Sequence, residues 1–228
     1  RLNLTWYGGE PLMAFNKIKT IINKIRKECT AKICSQSIIT NAFLLSSSVI
    51  RDMVDLGFSQ IQISFDGDCE SHDKTRFLKA TGGKTFAKIL DNLDSLVALT
   101  PEEFKIDLRI NVNKANENDF AVLYNKLMQR YGRKKINPYP GFIREDSNDG
   151  CKMCYKSLFN SKRYQFYKKI AKEGVPVDFF PHVVTQKGCM VNQNNSFIIG
   201  PDGEMYKCWN DFNMPNKIIG YILSLIHI

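Results

Sequence analysis

The feature that most constrains this chain is an alternation of two periodicities. Segments with apolar residues at every second position exchange with segments whose apolar residues recur every three or four. Leu2-Asn3-Leu4-Thr5-Trp6 reads as a strand, and Phe15, Ile18, Ile21, Ile22, Ile25 and Cys29 form a helical stripe. Ser37-Ile38-Ile39-Thr40 is a second strand. A serine among Ser46, Ser47 and Ser48 caps a helix carrying Val49, Ile50, Met53 and Val54, which Gly57 stops. Ile61, Ile63 and Phe65 mark a third strand, followed by a polar loop from Asp66 to about Lys84. The next helix carries Phe86, Ile89, Leu90, Leu93, Leu96 and Val97. Phe104, Ile106, Leu108, Ile110 and Val112 alternate as a strand. Phe120, Leu123, Leu127, Met128 and Tyr131 form a helix ending at Gly132, and Lys135-Ile136-Asn137 is a short further strand. Strand and helix in turn predict an α/β fold, with a parallel sheet and right-handed crossovers. Polar residues at alternate strand positions suit a barrel with a polar interior, a doubly wound sheet being the alternative. In either fold the site lies at the carboxyl ends of the strands.

The rhythm breaks after about residue 140. Gly, Asp, Asn and paired Cys run from Asp146 to Cys154, followed by a basic, aromatic helix from Ser157 to Lys172. Phe197-Ile198-Ile199 and Glu204-Met205-Tyr206-Lys207-Cys208 flank Gly200-Pro201-Asp202-Gly203, the pattern of a hairpin. The expected domains are therefore 1–145 and 146–222.

Composition narrows the function. No apolar run reaches the length of a membrane span. The net charge of +9 reads as a lysine-rich solvated surface, because no motif gathers charge and stacking aromatics onto one face. No nucleic-acid or membrane partner is therefore expected; an acidic peptide or an acidic redox partner is the alternative. Seven cysteines, an odd number, argue against a disulfide framework and fit a cytoplasmic protein. Cys29 sits on a helical stripe and reads as core, while Cys34 and Cys69 read as ordinary thiols.

Polar groups collect at successive strand ends. Gly8-Gly9-Glu10-Pro11 follows the first strand: two glycines let a ligand approach the backbone, and Glu10 offers a carboxylate to an ammonium group. Thr40-Asn41 ends the second strand, and Ser64-Phe65-Asp66-Gly67 ends the third, with His72-Asp73 and Arg76 beyond it. Arg109 and Asn111 alternate along the fourth. Such a set can hold a zwitterion with a ribose and a base. His72 reads as a hydrogen-bonded loop residue, and Asp66 either as a turn carboxylate or as part of the site.

These motifs, from Trp6-Tyr7-Gly8-Gly9-Glu10-Pro11 through Arg76, resemble the core of radical S-adenosylmethionine (SAM) enzymes. The chain is most similar to the subgroup of anaerobic sulfatase-maturating enzymes and peptide-modifying SPASM proteins. The resemblance implies a partial (β/α)6 TIM-like barrel entered at about its second strand. Gly8, Gly9 and Glu10 would contact the methionyl amine of SAM. Ser64 and Arg76 would hold its ribose or carboxylate region, with Asn41 and Asn111 as neighbours. In the tail, thirteen residues separate Cys189 from Gly203 and four separate Gly203 from Cys208, as at the start of a SPASM-like domain. The resemblance makes Cys189 and Cys208 ligands of an auxiliary 4Fe–4S cluster. Cys151-x-x-Cys154 has metal-ligand spacing and is left open between an auxiliary cluster, zinc and free thiols.

The family's Cys-x-x-x-Cys-x-x-Cys motif, which carries the catalytic 4Fe–4S cluster, is not in this sequence. The expectation is a fragment of a longer protein, inactive by itself. The residues 223–228, Leu-Ser-Leu-Ile-His-Ile, resemble a translated adapter and read as a non-native tail. The intact parent would cleave SAM reductively, with electrons from a flavodoxin or ferredoxin, and modify a peptide or protein side chain through a 5′-deoxyadenosyl radical. Asp66 and Asp211 are the candidate catalytic carboxylates. One departure bears on the substrate: Trp209, rather than Asp, follows Cys208. That disfavours formylglycine formation, which stays as an alternative beside a non-catalytic SAM-, peptide- or zinc-binding protein.

Overall fold

The computed structural model describes residues 1–132, 135–142, 160–177 and 189–222. Cys151, Cys154 and the tail 223–228 lie outside the described residues. The chain divides into two compact units, Arg1–Val177 and Asp178–Ile228.

The described residues of the first unit form five strands: β1 (Leu2–Trp6), β2 (Ile33–Thr40), β3 (Gln60–Phe65), β4 (Lys105–Val112) and β5 (Ile136–Phe142). All neighbours are parallel, and the order is β1-β2-β3-β4-β5. The order never reverses, which separates this sheet from a doubly wound one with its switch point. Each crossover steps to the adjacent strand in the same direction. Right-handed crossovers then place the helices on one face, and the sheet curls around the other. Among the described residues it is an open arc, not a closed barrel.

The helices are α1 (Phe15–Glu28), α2 (Ser47–Asp55), α3 (Cys69–Thr75), α4 (Phe86–Leu99), α5 (Asp119–Tyr131) and α6 (Asn160–Lys172). Ile38, Ile61, Ile63, Phe65, Ile106, Leu108 and Ile110 share one sheet face and are buried in a single core. Ile22, Ile50, Met53, Ile89, Leu93 and Phe120 from the helices join them. Each such side chain contributes about 1.5–3 kcal/mol by leaving water. The opposite face is polar. Thr5 bonds Ser37 (2.9 Å), Ser35 bonds Asn3 (2.8 Å), and Tyr139 donates to Gln62 (2.7 Å). Asp107 accepts from Gln60 (2.6 Å) and Asn137 (2.8 Å).

Several elements depart from the sequence expectation. β2 begins at Ile33, ahead of Ser37, because Cys34, Ser35 and Gln36 interrupt the apolar pattern that would reveal it. The expected polar loop contains α3, capped by Asp68, whose carboxylate accepts from the Ser71 amide (3.0 Å). β5 continues to Phe142 through Pro138 and Pro140. Two prolines spaced by two put both missing N–H groups on one side, and among the described residues β5 pairs only with β4. Cys29, expected in the core, is exposed at the end of α1. The first unit also runs to Val177, past the boundary expected near residue 145. Its helix α6 sets the Phe166 ring edge-on to Phe120 and Phe142, each at 5.5 Å between centroids.

The second unit is described from Cys189 onward. It holds β6 (Ile198–Ile199), β7 (Glu204–Tyr206) and β8 (Gly220–Tyr221) in one antiparallel sheet, β7 central. The β6–β7 hairpin lies where the Pro-Asp-Gly turn predicts it. Gly203 takes φ 81°, and the Glu204 carboxylate accepts from the Asp202 amide (2.9 Å). β8 went unseen because two residues carry no periodicity.

Candidate functional site

A parallel sheet puts every strand's carboxyl end on one side, so the loops after β1, β2, β3 and β4 meet along one rim. Glu10 organises the first half of that rim. Its Oε1 accepts from the Leu12 amide (3.0 Å), which caps the 3-10 turn Pro11–Ala14, and from the Thr40 hydroxyl (2.6 Å). Its Oε2 accepts from the Asn41 amide (2.9 Å). A carboxylate has about four acceptor positions. Three are used in fixing Glu10, and one remains for a ligand. In front of it, a Cβ added at Gly8 or Gly9 would meet nothing within 4 Å. An oriented anion beside open backbone fits an ammonium-bearing ligand.

The loop beyond β2 is held in an uncommon conformation. Ala42 is buried with φ 59°. A left-handed alanine costs roughly 1 kcal/mol. The Asn92 amide on α4 offsets this by donating to the carbonyls of Ala42 (2.8 Å) and Phe43 (3.0 Å). The Thr40 hydroxyl accepts from the Ala42 amide (3.0 Å), and the Asn41 side chain accepts from the Phe43 amide (2.9 Å). This clamp aims the Asn41 amide at Glu10.

Asp66 organises the second half. Its Oδ2 accepts from Arg76 Nε (2.8 Å) and the Thr75 hydroxyl (3.2 Å), and its Oδ1 from Asn111 (2.7 Å). The Asn116 amide donates to the carbonyls of Asp66 (3.0 Å) and Asn111 (2.9 Å). Burial pushes the Asp66 carboxyl up, but Arg76 and Asn111 together hold it below the usual carboxylate range. Asp66 is 3% exposed, so it ties the ends of β3, α3 and β4 together from the interior.

His72 lies on α3, fully buried, rather than in a loop. Its Nδ1 accepts from the Asp66 amide (3.2 Å), so the proton of the neutral ring sits on Nε2. Nε2 lies 3.2 Å from the Thr85 hydroxyl, which itself donates to the Arg76 carbonyl (2.8 Å). Burial, reinforced by Arg76, pushes the imidazole pKa down to about 4.

The structure thus brings Gly8, Gly9, Glu10 and Asn41 into one cluster, and Asp66, Arg76 and Asn111 into another, on the same rim. Ser64 projects from β3 in register with Arg109 on the polar face. Thr40, expected with Asn41 as a polar strand end, belongs to this machinery, as do Asn92 and Asn116, neither of them among the expected site residues. Of these two, Asn92 leaves a signal, a polar residue on an apolar helical stripe.

In the second unit, Cys189 precedes the 3-10 turn Met190–Asn192, and Cys208 precedes the 3-10 turn Trp209–Asp211. Cys189 is exposed and Cys208 half-buried, and both are free thiols. Asp211 is half-buried, its amide donating to the Cys208 carbonyl (3.0 Å). Among the described residues, no group of three or more His, Cys, Asp or Glu side chains is arranged to hold a metal. Two cysteines do not complete the four-thiolate set of a 4Fe–4S cluster. Among the described residues, no helix is long and apolar enough to cross a membrane.

Comparison with known proteins adds the following. The family described as "Radical SAM superfamily" matches residues 2–127. No curated protein matches the chain. Hexahistidine-tagged anSMEcpe with bound AdoMet superposes with a TM-score of 0.70 at 19% identity, over 97% of this chain and 61% of that one. Native anSMEcpe with bound AdoMet gives 0.69 at 21% identity, over 95% and 62%. Native anSMEcpe with bound AdoMet and Cp18Cys peptide gives 0.69 at 20% identity, over 99% and 67%. At such identity the likeness is one of fold. The chain spans about 61–67% of the length of these three structures.

Proposed function

As the chain belongs to the radical SAM superfamily, we propose that it forms the SAM-binding part of an enzyme that cleaves SAM reductively and modifies a peptide or protein side chain. The observation that carries the reading is Glu10, held by three hydrogen bonds beside two glycines with open space before them. Glu10 takes the methionyl ammonium, and the Gly8-Gly9 backbone lies against the ligand. Arg76, its Nε fixed on Asp66, extends its remaining donors toward the ribose or carboxylate region together with Ser64. Asn41 and Asn111 complete the rim, and Asp66 acts as a positioning residue. SAM held there, on accepting one electron and losing methionine, would supply a 5′-deoxyadenosyl radical able to take a hydrogen atom from the substrate. The ligands of the catalytic 4Fe–4S cluster are not among these 228 residues, and no step of the cleavage is assigned to this chain. Its residues hold SAM in one orientation and bound the space in which the radical acts.

Cys189 and Cys208 are proposed as two ligands of an auxiliary 4Fe–4S cluster, and a flavodoxin or ferredoxin as the electron donor. The peptide substrate is supported by family resemblance and by the anSMEcpe structures with bound peptides. Those same likenesses favour a second reading, maturation of a sulfatase, against which stands Trp209 directly after Cys208.

Equilibrium dialysis of labelled SAM against the 228-residue chain tests the cradle. Glu10→Gln should weaken binding by about 10- to 100-fold, the worth of a charge-assisted hydrogen bond. Equal affinity in the two proteins would remove Glu10 from the site.

A further inference from the structure

On the polar face of the sheet, the cradle leaves two cations of β4 unused, Lys105, which is exposed at the start of the strand, and Arg109 near its middle. Arg109 projects from β4 between Ser64 on β3 and Tyr139 on β5. Its Nε is buried and has no hydrogen-bond partner. The two carboxylates nearest it along the sheet are already taken. Asp107 accepts from Gln60 and Asn137, and Asp66 from Arg76, Thr75 and Asn111. No ion pair to Arg109 exists among the described residues.

The neighbouring strand makes room for this side chain. A Cβ added at Gly141 would lie 2.2 Å from Arg109 Nε, 2.8 Å from its Cγ and 3.0 Å from its Cδ. Gly141 does not adopt a positive φ, so its backbone conformation does not demand glycine. A glycine inside a strand weakens the strand. Here its one evident use is the space that Arg109 fills. The contacts are with the middle of the side chain, so any larger residue would force Arg109 into another rotamer.

We propose that Arg109, seated over Gly141, is a carboxylate-binding site on the concave face of the sheet. With no carboxylate paired to it among the described residues, the guanidinium keeps an uncompensated charge, and its half-buried head can take a carboxylate end-on, both Nη donating to the two oxygens. Ser64 in the adjoining register is an uncharged hydroxyl available beside it. The chemistry is shared by two sources: the amino-acid carboxylate of SAM, and an acidic side chain or C-terminus of a peptide substrate. The inference deepens the function proposed above and rests on it for the identity of the molecule bearing the carboxylate.

The test uses the full 228-residue chain, with wild type, Arg109→Met and Gly141→Ala compared by equilibrium dialysis in two arms. The first arm measures SAM against decarboxylated SAM. The second measures a tetraglutamate peptide against tetraglutamine, with SAM present. Wild type is expected to prefer the carboxylate probe at least tenfold in one arm, and that arm identifies the source. Arg109→Met should abolish the preference, and Gly141→Ala should reduce it while leaving the charge in place. Arg109→Met removes an unsatisfied nitrogen, so its thermal midpoint should not fall. A preference absent from wild type in both arms, or retained in full by Arg109→Met, overturns the site. If wild type binds neither SAM nor its analogue, the SAM reading fails by itself, and the peptide arm still decides on Arg109.

Discussion

At the scale of single residues, the second cluster ties stability to pH. His72 is neutral when folded, its pKa pushed from 6.5 to about 4 by burial and by Arg76. The unfolded chain therefore binds a proton, between pH 6.5 and 4, that the folded chain refuses. Stability is complete above the unfolded pKa and falls as pH is lowered through this window, by up to about 3 kcal/mol. Asp66 adds a separate loss at lower pH, because its carboxyl is held below the ordinary value by Arg76 and Asn111 against the effect of burial. Urea midpoints measured at pH 7 and pH 4.5 should differ in wild type and differ less in His72→Gln. An equal slope in both proteins would show that the imidazole titrates normally. The same pair of residues shows how far sequence reaches. Asp66 was legible as a turn or site carboxylate, but its three donors come from α3, its flank and β4 and were not.

At the scale of elements, the loop after β2 is the part most dependent on a distant partner. Asn92 satisfies two buried carbonyls fifty residues back along the chain and keeps Ala42 left-handed. Asn92→Ala leaves both carbonyls unpaired and should cost about 2–4 kcal/mol. It should also weaken SAM binding, since the Asn41 amide is then no longer aimed at Glu10. Denaturant unfolding and dialysis check the two effects, and a loss of stability with unchanged SAM affinity would separate loop from site. The strands β3 and β4 and the helices α1, α4 and α5 were readable because their periodicity is written within ten or so residues. The start of β2 was hidden by polar side chains, Ser35 on the concave face and Gln36 buried on the helix side against the Leu56 carbonyl, and α3 is too short to show a helical stripe. Asn116 and Gly141 carry meaning only through contacts made by the fold, which no local pattern records.

At the scale of the whole molecule, the sheet formed by the described residues has two unequal edges. Pro138 and Pro140 leave the free side of β5 without two of its N–H donors, so another strand finds little to pair with there. Pro138→Val with Pro140→Val should restore those donors and hasten self-association. Light scattering at matched concentration would show this, and scattering as low as in wild type would mean the edge is protected by other means. The opposite edge, β1, has no proline. The face between these edges is lined with amides, hydroxyls and carboxylates, while the hydrocarbon lies behind it under the helices. A ligand settling on that concave surface exchanges ordered water for polar contacts and covers little hydrocarbon. Its binding should therefore carry a small change in heat capacity, with an enthalpy nearly constant across temperature.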